Sequence, residues 1–141
     1  MKAITKFIGL LLVSLLAMAC ATGPLKVPEK YNFDNELEAA TDIYNFRIDS
    51  WEDIDYQSLI ITVNINDYYL LILQRPALDL LSAESIGITH IADKVKSGFD
   101  QIVVATSTGT ESYVIHKMYK LNGREHATEI KKQLRSRAAD K

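Results

Sequence analysis

Three rhythms of apolar and polar residues run along the chain, and each predicts a different kind of element. The first is continuous: Ile8 to Leu16 is apolar except for Gly9 and Ser14. It has no amphipathic period, so it does not read as a helix laid on a core. It is also too short for a bilayer core of ~30 Å, which takes roughly 20 apolar residues to span.

The second rhythm is that of strands. "SLIITV" (58–63) and "YYLLILQ" (68–74) are rich in β-branched and aromatic residues. They are parted by "NIND", whose Asn64, Asn66 and Asp67 favour a turn. Leu59, Ile61 and Val63 make one face of the first run and Ile60 the other; Tyr68, Leu70 and Ile72 oppose Tyr69, Leu71 and Leu73 in the second. Apolar residues on both faces predict central strands covered on two sides. Pro76 ends the second run, because it cannot donate to a ladder. Further strands are expected over 84–92, 99–105 and 112–121, the last two joined by the polar loop "TSTGT" (106–110).

The third rhythm is helical. Ala127, Ile130, Leu134 and Ala138 form a narrow apolar stripe. Asn122 can cap the first turn, with Glu125 three residues on as in a capping box, and Lys131, Lys132, Arg135 and Arg137 crowd the last turns, where positive charge suits the dipole. "ELEAATDIYNF" (36–46) places Leu37, Ala40 and Tyr44 on one helical face and predicts one or two helical turns. The expected fold class is α+β: a small, mainly antiparallel β-sheet of about five strands with the C-terminal amphipathic helix packed on it.

The flanks of the first run change the picture. Lys2 and Lys6 precede it, and Ala17, Met18 and Ala19 lead into Cys20, the only cysteine of 141 residues. That order describes a secretory signal peptide. Its end resembles the lipobox of bacterial lipoproteins: Ala19 and Cys20 match, and Ala17 stands where Leu is usual. The resemblance implies diacylglycerol on the Cys20 thiol, cleavage before it, and, with Ala21 rather than Asp following, release to the outer membrane of a Gram-negative cell. Each buried methylene of such an anchor contributes ~0.8 kcal/mol. The other reading is a cysteine that chances to follow an ordinary cleavage site at Ala17-Met18-Ala19. The expected organisation is a signal peptide over 1–19, a lipidated N-terminus and tether over 20–42, and one domain over 43–141. Gly23, Pro24 and Pro28 make residues 21–35 read as semi-extended. An acylated Cys20 leaves no thiol for an intramolecular disulfide.

Charge is nearly balanced overall, with 16 basic and 18 acidic residues, but it is unevenly placed. Glu29 to Asp67 holds ten acids and two bases, and Lys117 to Lys141 holds eight bases and three acids. The two regions either face each other or face solvent. A nucleic-acid partner is not expected, since no basic surface dominates. His90, His116 and His126 lack the close spacing of a helical zinc motif, no glycine-rich phosphate loop occurs, and Ser82, Ser85 and Ser112 have no nucleophile-elbow context. No metal, cofactor or catalytic residue is therefore expected. "WEDIDY" clusters Glu52, Asp53 and Asp55 beside Trp51, with alternation placing Asp53 and Asp55 on one face. A glycosidase needs two carboxylates flanking a sugar-sized cleft, with Trp51 as a stacking platform; an acidic turn before a buried strand looks the same. Tyr44, Phe46, Trp51, Tyr56, Tyr68 and Tyr69 either line a ligand groove or fill a small core. Arg75 is expected to pair with Asp79 or an acid of 49–55, or to lie solvated at a strand end.

Five stretches in order, "FRIDSWEDIDYQSLII", "YYLLILQRPALDL", "IGITH", "VKSGFDQIVV" and "YVIHKMYKLNGREHA", resemble a family of small proteobacterial lipoproteins classed as a domain of unknown function, number 6491. The resemblance covers roughly residues 43–135. Many members carry cysteines where this chain has Ala77 and Tyr113, so any disulfide they form is missing here. The family imports no catalytic residue. Its shared residues include Trp51, Asp55, Arg75, Pro76, Asp79, Gly87 and Asp100; they either gather at one surface site or serve as turn formers and core anchors. With Tyr68 added, Trp51, Asp55, Arg75, Asp79 and Asp100 make the candidate ligand site.

The expected function is that of a non-enzymatic lipoprotein on the periplasmic face of the outer membrane, bound to the membrane through its N-terminal lipid and engaging an envelope protein or supporting an assembly. The alternative is a binding protein for a small apolar or envelope-derived ligand in an aromatic-lined cleft. A hydrolase built on the acidic cluster near Trp51 comes third.

Overall fold

A computed structural model describes residues 25–139, so the signal peptide expected over 1–19, Cys20 and the first residues of the expected tether lie outside the described residues. Nine strands and one long helix follow in order: β1 (Glu38–Ala40), β2 (Asp42–Tyr44), β3 (Ile48–Asp55), β4 (Ser58–Val63), β5 (Asp67–Leu73), β6 (Ile86–Ile88), β7 (Lys94–Lys96), β8 (Gln101–Thr106), β9 (Gly109–Leu121) and α1 (Gly123–Ala139). Short 3₁₀ turns occupy Glu29–Tyr31 and Leu80–Ser82. The main sheet is antiparallel and curled, in the order β3-β4-β5-β9-β8-β6, with β1 also pairing to β9. β2 and β7 form a separate two-stranded ribbon.

The two-sided apolar pattern of 58–63 and 68–74 has its consequence here. Leu59, Ile61, Val63, Leu71 and Leu73 enter one buried layer, joined by Ile102, Val104 and Ile115 from β8 and β9. The ribbon closes that layer with Ile43 and Val95. Ile60, Leu70 and Ile72 enter a second layer on the other face, which α1 covers with Ala127, Ile130 and Leu134. The fold class is α+β as the pattern predicts, with seven strands in the main sheet rather than about five. β9 runs longer than 112–121 because Thr106 to Gly109 makes a tight turn in which Thr106 Oγ1 donates to the Gly109 carbonyl at 2.9 Å. The strand expected over 84–92 shortens to Ile86–Ile88.

Three expectations change. Residues 36–46 are not helical: Ala40 pairs with Met118 and Ile43 with Val95, so partners distant in sequence override the local spacing. Leu37 and Ala40 then face different layers, and Tyr44 is exposed. Residues 27–37 are packed rather than tethering, since Tyr31 and Phe33 are buried in the second layer and Val27 packs against it. Phe33 meets the Tyr119 ring edge-on at 5.9 Å, and its N–H donates to the Tyr119 hydroxyl at 3.2 Å. At the start of α1, the Asn122 N–H is taken by His126 Nδ1 at 3.0 Å rather than by Glu125. Ala138 falls outside the buried stripe.

The charged regions face each other. Lys131 pairs with Glu52, Arg137 with Glu36 at 2.7 Å, and Lys117 with Asp34. Each such surface pair contributes only ~0–1 kcal/mol, so the helix is held chiefly by its apolar stripe. Removing the Phe33 ring opens the second layer, so Phe33→Ala should cost ~3–5 kcal/mol in a urea melt. Leu25→Ala, at an exposed position just outside, should stay within about 0.5 kcal/mol; equal effects would mean that residues 27–37 do not pack.

Candidate functional site

The first half of α1 does not seal against the sheet. Arg124, Ala127, Thr128 and Lys131 recur at the spacing of one helical face and look across a groove of about 700 Å³. Opposite them stand Ser50 and Glu52 of β3, Ile60 and Thr62 of β4, and Tyr68 of β5. Register explains the set: Glu52 is opposite Ile60, Ser50 opposite Thr62, and Thr62 opposite Tyr68, so all five share the helix-facing side. Ile60 and Ala127 are buried in the second layer, whereas most of the remaining lining is polar. The Lys131–Glu52 ion pair ties helix to edge strand across this space.

Ile65 forms one margin of the groove, and its backbone is unusual. It lies in the β4–β5 turn with φ +77° and its side chain is 67% exposed. A β-branched residue in the left-handed region is a conformational outlier, at a cost of ~1–3 kcal/mol. Its N–H is held by Asp49 Oδ2, while Asp49 Oδ1 accepts from Arg47 at 3.0 Å. The turn thus keeps an isoleucine projecting at the lip of a polar groove, where Asn or Gly would sit with less strain. Strained residues of this kind persist only where the surrounding structure over-determines them, here through the Asp49 bond to the Ile65 N–H.

A second, smaller depression of about 300 Å³ lies between Pro28, Tyr56 and Pro76 at the end of α1. Asp55 lines it and is fully engaged. Its Oδ1 accepts from the Gln57 N–H (2.9 Å) and Ser58 Oγ (2.8 Å), and its Oδ2 from the Tyr31 hydroxyl (2.9 Å) and Lys30 Nζ (3.1 Å). Burial alone would raise this carboxyl, but the four bonds outweigh it and hold it below the usual carboxylate range. Burial and the neighbouring Asp55 charge push the Tyr31 hydroxyl far above its ordinary value. Asp55 therefore closes the β3–β4 turn and fastens the N-terminal segment to it.

The residues singled out from sequence separate into several places. Tyr68 and Trp51 both border the groove, but Trp51 pairs with Ile61 and packs against the opposite layer, so Tyr68 and not Trp51 is the aromatic on the helix-facing side. A register shift between Asp53 and Asp55 breaks the expected alternation: Asp53 stands opposite Leu59 of the first layer, while Asp55 meets Tyr31 of the second. Arg75 pairs with neither Asp79 nor the 49–55 acids. Its guanidinium lies 4.4 Å from the Tyr113 ring centroid, donates to the Ser112 carbonyl at 3.1 Å and approaches Glu111 at 3.8 Å. Asp79 precedes the Leu80–Ser82 turn and accepts there through its backbone carbonyl. Asp100 is buried, taking Thr89 Oγ1 at 2.9 Å and the Lys96 N–H at 2.7 Å. Ala77 and Tyr113 are both buried in the first layer. Of the aromatic run, Tyr69 is core, Phe46 packs on the core, Tyr56 borders the smaller depression and Tyr44 is exposed. Among the described residues no group of three or more His, Cys, Asp or Glu side chains is placed to hold a metal ion. Ile65, Arg124 and Thr128 escape sequence reading; the visible signal is an apolar residue between two asparagines in a turn.

A family model described as Family of unknown function (DUF6491) matches residues 2–138. No curated protein and no solved structure matches the chain.

Ile65→Asn should raise stability by about 0.5–1 kcal/mol, because Asn tolerates the left-handed region, read as a higher urea midpoint at unchanged slope. Asp55→Ala should cost about 2–4 kcal/mol by leaving Tyr31, Ser58 and Gln57 donors unpaired. A folded carboxyl below its unfolded value, ~3.9 for Asp, contributes stability that is present above that pH and lost as pH falls through the folded value. Asp34, through its bonds to Lys117 and Tyr119, and Glu36, through Arg137 and Gln133, are lowered as well. The wild type should therefore lose stability below about pH 4, and Asp55→Ala should show a shallower loss in acid-titrated melts.

Proposed function

We propose that this chain, which belongs to the DUF6491 family of unknown function, is an outer-membrane lipoprotein anchored through Cys20 and facing the periplasm. Its domain is a non-enzymatic module that binds a polar segment of an envelope protein in the groove between α1 and the β3–β4–β5 face. The groove carries this reading. It pairs an apolar floor with Arg124, Lys131, Asp49, Glu52 and several hydroxyls, a lining suited to the mixed polar and charged side chains of a protein segment. The aromatic residues of 44–69 are dispersed rather than gathered around an apolar cleft, which disfavours the small apolar ligand. The acidic cluster supports a hydrolase no better: Glu52 is engaged by Lys131, and Asp55 is engaged by four donors in the other depression.

A photo-crosslinking side chain at Thr128, in intact cells, tests the groove. The expected result is one reproducible adduct with an envelope protein, lost with Arg124→Glu and lost when Cys20→Ser frees the chain from its membrane. The mass of the membrane-extracted protein checks the anchor separately. No adduct, together with a lipid or glycan retained in native mass spectrometry, would replace this reading with the small-ligand one.

A further inference from the structure

The ribbon of β2 and β7 carries an exposed face that the groove does not use. Ile43 and Val95 turn inward from it, so their neighbours in each strand turn outward. Tyr44 lies opposite Lys94, and Lys94 is bridged on its other side to Ile91, which makes Ile91, Lys94 and Tyr44 one lateral row. Asp42 and Lys96 form the next row, and Lys96 Nζ reaches the Phe99 ring at 5.1 Å, as Lys94 Nζ reaches the Tyr44 ring at 5.7 Å. Ile91, Phe99 and Tyr44 are 77%, 73% and 64% exposed. The Ile91–Lys94 turn is built from Ala92 and Asp93, both left-handed at φ +50° and +57°. This is the primed hairpin geometry that usually selects Asn or Gly, so the turn keeps Ile91 projecting at some conformational cost.

We propose that this face is a membrane-contacting surface: Tyr44, Ile91 and Phe99 insert at the headgroup level of the phospholipid bilayer to which Cys20 is tied. The proposal rests on the Cys20 anchor and adds to it an orientation. Two observations choose lipid over a protein partner. Protein interfaces are depleted in lysine at their cores, whereas here each exposed ring is covered by one. An apolar body with a lysine stem that can carry its charge outward suits the membrane–water boundary. The second observation is reach. Val27 lines a small depression with His116, next to the Ile115 carbonyl that accepts from the Gly98 N–H at 2.7 Å beside Phe99, so Cys20 is joined to that end of the domain by a span of at most about 25 Å. A folded unit of this size has a radius of gyration of roughly 13 Å, so the bilayer is never far from its surface. Asp42 and Asp93 offset Lys94 and Lys96 within the ribbon, so the contact is apolar and does not depend on anionic lipid. The ribbon packs on the first layer and α1 on the second; seating the ribbon on the bilayer turns the groove toward the periplasm.

The test uses the full lipidated protein in phosphatidylcholine vesicles. With Cys20 acylated, Phe99→Cys supplies a single thiol for a polarity-sensitive fluorophore, and Glu129→Cys, on the exposed side of α1, supplies the control. A lipid-borne quencher placed near the headgroups should quench the label at 99 at least about threefold more than the label at 129. Adding Tyr44→Asp and Ile91→Asp should abolish the difference, and adding phosphatidylglycerol should leave it unchanged. Equal quenching at both positions in a chain whose mass shows the lipid overturns the ribbon contact alone. Protection of the label at 99 that appears only when envelope proteins are added overturns it in favour of a protein partner. A chain whose mass shows an unmodified Cys20 overturns the anchor, and the ribbon proposal with it.

Discussion

One strand has to satisfy three neighbours, and the rest of the molecule follows from that. β9 pairs along one edge with β5 through residues 115–121 and along the other with β8 through 109–114, then with β1 at 118–120. A register shift opposite Ile72 and Leu73 lets it change direction between these tasks. Its side chains then serve both layers: Ile115 and Met118 enter one, Tyr119 and Leu121 the other. A sheet bent in this way has an inside filled by its own strands and the ribbon. Its other face stays open until α1 and the N-terminal segment cover it.

That cover is fastened at its margins by polar groups. Asp55, Asp34 and Glu36 each draw a piece of the N-terminal segment against a turn, a strand or the helix. The opposite charges of the two ends of the chain therefore serve register more than strength, since most of the burial lies in Phe33, Tyr119, Ile130 and Leu134. The groove is what remains where the cover ends, at the first turns of α1 above Ile60.

Sequence revealed the parts of this plan that are local. The run 58–63 is legible as a strand to the residue, because β-branched residues with both faces apolar leave few alternatives. The helix is legible from Ala127, Ile130 and Leu134. Residues 36–46 mislead because three-residue strands carry almost no pattern of their own and are fixed by partners dozens of residues away. Tyr31 and Phe33 are two aromatics in an otherwise polar stretch too short to show a period, and the burial of Phe33 depends on Tyr119. The candidate site fared similarly. Asp55 and Asp100 are discernible as special, but whether a carboxylate holds a turn or faces a ligand depends on which donors the fold brings to it. The groove joins β3, β4, β5 and α1, and no local window of sequence contains it.

The grip of the fold on its own beginning sets an order of events. The bond between Phe33 and Tyr119 spans 86 residues, and that between Lys30 and Arg137 spans 107. Neither can form until almost the whole chain has been made. The N-terminal segment can therefore find its place only after β9 and α1 exist. Once Arg137 has closed over the Lys30 carbonyl, a pull on the N-terminus is resisted along the length of α1 and β9 rather than at a loose end.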